Sequence, residues 1–168
     1  EIMDTSEIGF TAYQKGQPVK GEFEEFVASV KLDPEQPESG RISVEIMTDS
    51  ITTGHKDRDG ALRSSSFFET KTWPSATFAS DRIEANGSGT YDATGKLTIR
   101  DVTKEVVLPF TLEVGPDPDD PSRQLATARG DLTISRLDYG VGQGDFASTS
   151  TVGDEVDIHI EIDATRPK

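Results

Sequence analysis

A period of two runs through most of this chain. Near the C-terminus Val156, Ile158, Ile160 and Ile162 alternate with Asp157, His159, Glu161 and Asp163. Successive side chains of an extended chain point to opposite faces, so this describes a strand with one dry and one wet side. The same reading holds for Val106, Leu108, Phe110, Leu112 and Val114, for Phe26, Ala28, Val30 and Leu32, and for Ile42, Val44 and Ile46. Ile8, Phe10 and Ala12 repeat it, and Ala126, Ala128, Gly130, Leu132 and Ile134 give a small-residue version.

Turn-forming residues separate these runs. Asn86-Gly87 suits a tight hairpin because both residues tolerate positive φ, and PDPDDP at 116–121 reads as a stiff acidic loop in solvent. The segments number about eight, near 5–14, 18–33, 40–49, 74–86, 90–100, 103–115, 123–136 and 152–165. Consecutive strands with short connections favour an antiparallel meander, and eight strands can close into a barrel without exposed edges. The expected fold is therefore all-β, one domain over residues 1–168, an eight-stranded antiparallel lipocalin-like barrel. One stretch lacks alternation: TGHKDRDGALRSSSFF at 53–68 predicts a short helix near 57–66 with Asp59 as its N-cap.

Composition narrows the function. With 31 acidic and 17 basic residues the formal charge is −14, which repels phosphate backbones and argues against nucleic acid and against adsorption to anionic membranes. There is no cysteine, so disulfides, thiolate metal sites and iron–sulfur clusters are excluded. No apolar run approaches the ~20 residues that span a bilayer as a helix. The two histidines are far apart. His159 falls on a wet face, and His55 stands beside Lys56, Asp57 and Asp59. Asp49, Asp57 and Asp59 lack EF-hand spacing, so no metal ligands are assigned. Ser64, Ser65 and Ser66 have no nucleophile-elbow context, so no catalytic residue is assigned either. Arg58 with Asp59, and Arg136 with Asp138, read as structural polar pairs. The Asn86-Gly87-Ser88 sequon is better explained as a turn.

Six motifs then occur in one order: VKGEF at 19–23, RD-x-x-LR at 58–63, SFFET-x-x-WP at 66–74, ATFAS at 76–80, LTIRDVTKEV at 97–106, and ISRLDYGVG through VGDEV at 134–156. Together they resemble the YceI-like family of bacterial, mostly periplasmic, polyisoprenoid-binding proteins. The resemblance implies a lipocalin-like barrel around a long apolar pocket, which carries an isoprenoid lipid such as a ubiquinone or polyprenol and needs no other cofactor. It also implies a periplasmic or secreted location with a signal peptide removed ahead of Glu1. GVGQGDFAST at 140–149 is similar to a subgroup fused to, or encoded beside, a di-haem membrane cytochrome b, which implies that cytochrome as a partner and a quinone as cargo. One departure stands out. Many relatives carry a histidine in the helix element where this chain has Ala61, so any role of that histidine does not transfer.

The dry faces supply the candidate ligand-binding residues: Phe10, Phe23, Phe26, Val30, Ile42, Val44, Ile46, Phe78, Leu97, Phe110, Leu112, Leu132, Ile158 and Ile160. Phe67, Phe68 and Trp73 are candidates to cover the entrance. The expected function is non-catalytic binding, with transport or storage of the lipid. The alternative is an accessory domain for a membrane cytochrome that holds lipid incidentally. A homodimer formed through a barrel edge or mouth would leave no mark in this sequence, and that partner stays open.

Overall fold

The computed structural model describes residues 1–168. Ten strands form one antiparallel sheet: β1 (Glu7–Gln14), β2 (Gln17–Phe23), β3 (Phe26–Lys31), β4 (Arg41–Met47), β5 (Ile51–Thr52), β6 (Ser75–Gly87), β7 (Thr90–Ile99), β8 (Val102–Pro116), β9 (Arg123–Ser135) and β10 (Glu155–Pro167). The order across the sheet is β3-β4-β6-β7-β8-β9-β10-β1-β2-β5. Because β3 follows β2 after only Glu24 and Glu25, the two ends of this order are tied by the chain itself and the sheet curls into a barrel. The one α-helix, α1 (Lys56–Arg63), lies between β5 and β6.

All eight expected strands are present. The stretch read as one strand over 18–33 is split at Glu24–Glu25, and its halves pair with different neighbours, β2 with β1 and β3 with β4. The two-residue β5, paired to the end of β2, is an addition. The barrel does not remove every edge, contrary to the expectation: β3 is bonded to β4 alone, so the wall has a seam along β3.

Local chemistry sets the corners. The β1–β2 turn places Lys15 and Gly16 both at positive φ, 50° and 77°, the geometry that suits the twist of a two-residue hairpin. The β6–β7 hairpin turns two residues later than Asn86-Gly87. Gly87 pairs with Thr90 across a register shift, and Ser88-Gly89 make the turn with Gly89 at φ 71°. Asn86 instead donates its side-chain amide to Asp92. A second shift in β6 between Ser80 and Arg82 brings its backbone over Gly95. A Cβ there would lie 2.3 Å from the Ala79 carbonyl oxygen, so only glycine fits.

Candidate ligand-binding cavity and its cap

The inward-facing residues make two apolar clusters. The first fills the barrel around Ile8, Ile42, Val44, Ile83, Tyr91, Ala93, Leu108 and Phe110, with Tyr91 stacked on Phe110 at 5.4 Å between ring centroids. The second lies at one barrel end and joins Leu97 and Ile99 to Phe67, Tyr139 and Val141. That second cluster is a cap, formed by α1, the segment 64–74 and the segment 136–154.

The family-like motifs hold this cap. In α1 the N-cap is His55, whose Nδ1 accepts from the Arg58 N–H at 3.5 Å. Asp59, expected there, is buried inside the helix and turns back to the preceding loop. Its carboxylate accepts from the Thr53 N–H at 2.8 Å and the Thr53 hydroxyl at 2.5 Å. Burial pushes the Asp59 pKa up, but the hydrogen bonds from Thr53 and Thr52 and the charge of Arg63 outweigh it and leave it below the ordinary value. Arg58 does not pair with Asp59. It donates to the Thr53 hydroxyl at 2.8 Å, so both residues grip the same threonine. Arg63 closes the helix by donating to the carbonyls of Asp49 and Ile51 at 2.9 and 2.8 Å.

Two further arginines fix the remaining cap segments. Arg100 donates to the carbonyls of Ser65 and Phe67, meets Glu69 at 3.6 Å and lies 4.5 Å over the Trp73 ring. Arg136 is 3% exposed, and its expected partner, Asp138, is not among its contacts. All five of its N–H donors meet backbone carbonyls: Gly153 at 2.8 Å, Val141 at 2.9 Å, Phe146 at 2.7 Å, Ser148 at 3.2 Å and Val152 at 2.8 Å. Burial lowers its pKa, partly offset by the charge of Asp154. The segment 140–149 is thus wrapped round a buried guanidinium. Gly142, at φ 114°, has no room for a Cβ, which would fall 1.9 Å from Arg136 Nη1.

Within the barrel an apolar cavity of about 90 Å³ is lined by Val30, Ile42, Val44, Ile46, Phe78, Leu97, Phe110, Leu112, Leu132, Ile158 and Ile160, all expected from the dry faces. It is also lined by Ile8, Leu32, Leu108, Ala128 and Ile162, which share the alternation of the residues chosen beside them. A second cavity of about 380 Å³ lies under the cap, between Phe10, Ala12 and Val19 of the β1–β2 hairpin and Ala61, Leu62, Phe67, Phe146 and Val152. Tyr13, Gln14, Thr53, His55 and Arg58 give this vestibule a polar rim. Phe10 and Phe23 are 5.7 Å apart between centroids, and Phe23 meets Phe68 edge-on at 5.9 Å. Phe26 packs against the barrel cluster. Phe67 is buried against Phe146 at 4.8 Å, so it walls the vestibule from the cap side. Phe23, Phe26, Phe68 and Trp73, all expected to contact ligand or cover the entrance, line neither cavity, and Trp73 lies under Arg100.

The outer wall is polar. His159 is half-exposed, with Nδ1 at 2.5 Å from Asp131 and Nε2 at 3.3 Å from the Thr11 hydroxyl. This line looks like a nucleophile, base and orienting acid, but Thr11 sits in mid-strand where β1 commits its backbone to β10 and β2. Beside it Asp157 accepts from Thr133 and Tyr13. Those hydrogen bonds lower the Asp157 pKa, and the Asp157 carboxylate raises that of Tyr13.

A curled antiparallel barrel with an apolar interior and a loop cap defines a lipocalin-like class of protein. Residues 3–164 match the YceI-like domain, and the chain belongs to the YceI-like family. A UPF0312 protein of Azotobacter vinelandii is 32% identical over 146 residues, covering 87% of this chain and 73% of that protein. Among solved structures, Burkholderia cenocepacia BcnA is 32% identical with a TM-score of 0.89, over 98% of this chain and 99% of that one. A polyisoprenoid-binding domain from Saccharophagus degradans aligns with a TM-score of 0.68 over 98% of this chain and 95% of that one. Its 16% identity carries likeness of fold alone.

Proposed function

We propose that this protein binds an isoprenoid lipid, with its prenyl chain inside the barrel and its headgroup at the rim of the vestibule, and carries or stores it in the periplasm without altering it chemically. The observation that carries this reading is the barrel cavity, whose wall is apolar side chains from eight strands. Family membership supports lipid as the ligand class. A prenylated quinone is the favoured cargo, its ring placed against Gln14, His55 and Arg58 of the rim.

Magnitudes decide how much of the molecule must take part. Each methylene-sized group buried recovers ~0.8 kcal/mol, against the ~4 kcal/mol or more lost on association. Burial of about five such groups, one isoprene unit, only offsets that loss, so the proposed chain is longer than one unit and extends through the vestibule as well as the barrel. The acidic surface keeps such a carrier from adhering to anionic membranes between loading and release.

The test is to titrate the purified protein with a prenylated quinone and with the same quinone ring lacking its tail. The expected result is saturable uptake of the first near one molecule per chain and none of the second. Equal binding of both, or of neither, contradicts the reading.

A further inference from the structure

Two cavities that share no lining residue lie end to end on the inward side of β1. Ile8 lines the barrel cavity and Ala12 lines the vestibule, and Phe10 stands between them. On β2, Val19 lines the vestibule, Gly21 is covered by the Phe10 ring, and Phe23 follows. The Phe10 ring fits only because Gly21 has no side chain: a Cβ there would lie 2.3 Å from Phe10 Cζ. Phe68, on the cap, completes a row of three rings with centroid spacings of 5.7 and 5.9 Å. Phe68 packs with the cap cluster and Phe23 with the barrel cluster, so the row runs from one to the other.

We propose that the two cavities are segments of one apolar tunnel and that the Phe10–Phe23–Phe68 row is a partition across it, with Phe68 setting the length of prenyl chain the tunnel accepts. The inference rests on the isoprenoid reading above and adds the residue that determines specificity. Phe10 and Phe23 are fixed to paired strands, whereas Phe68 belongs to a loop segment anchored by its backbone N–H to Leu62 and by Arg100 at its neighbour. A short chain fills the vestibule and stops at the partition. A longer one has to displace the Phe68 ring, and loses on that displacement part of what it gains by burial. Each further methylene-sized group buried should strengthen binding about fourfold, so a chain that crosses the partition freely gains steeply with length.

The experiment measures affinities for geraniol, farnesol and geranylgeraniol, which grow by one isoprene unit each, by displacement of a neutral naphthylamine fluorophore from the full chain. Phe68→Ala is compared with the unchanged protein, and Phe68→Leu provides a milder variant should the alanine fail to fold by circular dichroism. The expected result is that the preference for geranylgeraniol over geraniol rises about tenfold or more in Phe68→Ala, and in the same direction in Phe68→Leu. A preference left unchanged in folded variants overturns the partition while leaving the isoprenoid reading in place. Failure of the unchanged protein to bind any of the three alcohols overturns both.

Discussion

Arg136 shows what a single residue does here. A buried guanidinium is costly unless every donor is satisfied, and its five carbonyl partners come from a stretch of the chain, 141–153, that has no strand of its own. The side chain replaces secondary structure as the organiser of that part of the cap. Replacing it with methionine should keep the volume but orphan the carbonyls. The expected loss is ~3 kcal/mol or more, or roughly 6–12 °C in thermal midpoint for a chain of this size, read by calorimetry. A shift under about 2 °C would mean that water replaces the guanidinium at little cost. The sequence marked Arg136, Arg58 and Asp59 as structural, but it suggested partners next to them in the chain. Their actual partners are backbone carbonyls and a threonine, which carry no signature that distinguishes them from any other. His55 as N-cap was hidden for a similar reason, because Asp59 is the stronger capping residue and is instead used by Thr53.

At the scale of elements, hydrophobic alternation located the strands because each has one dry face, and it found eleven residues of the barrel cavity. The break at Glu24–Glu25 was legible as a change of phase and was passed over: the half-buried positions are odd through Val19, Gly21 and Phe23 and even from Phe26 to Val30, which one unbroken strand cannot place on one face. Alternation could not find the exchange of partners, since pairing is a property of the neighbours. The vestibule was missed because it is shared between strands and a cap without periodicity. The seam along β3 makes a specific prediction. The Met47 N–H bonds to the Glu25 carbonyl, and the Ile42 N–H points the other way, to Ser80 Oγ. By alternation Arg41, Ser43 and Glu45 face β3, so Lys31, Ser29 and Val27 are its hydrogen-bonded residues. The amides of Phe26, Ala28 and Val30 are left at the free edge. In hydrogen-exchange NMR these three should exchange at least tenfold faster than Val27, Ser29 and Lys31. Uniform protection along β3 would show that its second edge is covered.

Across the whole molecule, polarity is divided as a barrel proposed to hold an apolar chain requires. The interior wall is almost wholly apolar, the outer wall carries the charge, and the motif residues spend their polar groups on closing one end. In the proposed function, burial of a prenyl chain in such an interior supplies the affinity without a directed hydrogen bond. The most direct measurement is native mass spectrometry of the protein as purified, followed by solvent extraction and identification of what is released. The expected result is a species heavier than the 18.2 kDa chain by the mass of one prenylated molecule, or its appearance on adding ubiquinone or a polyprenol. A chain that arrives empty and remains empty with both would contradict it.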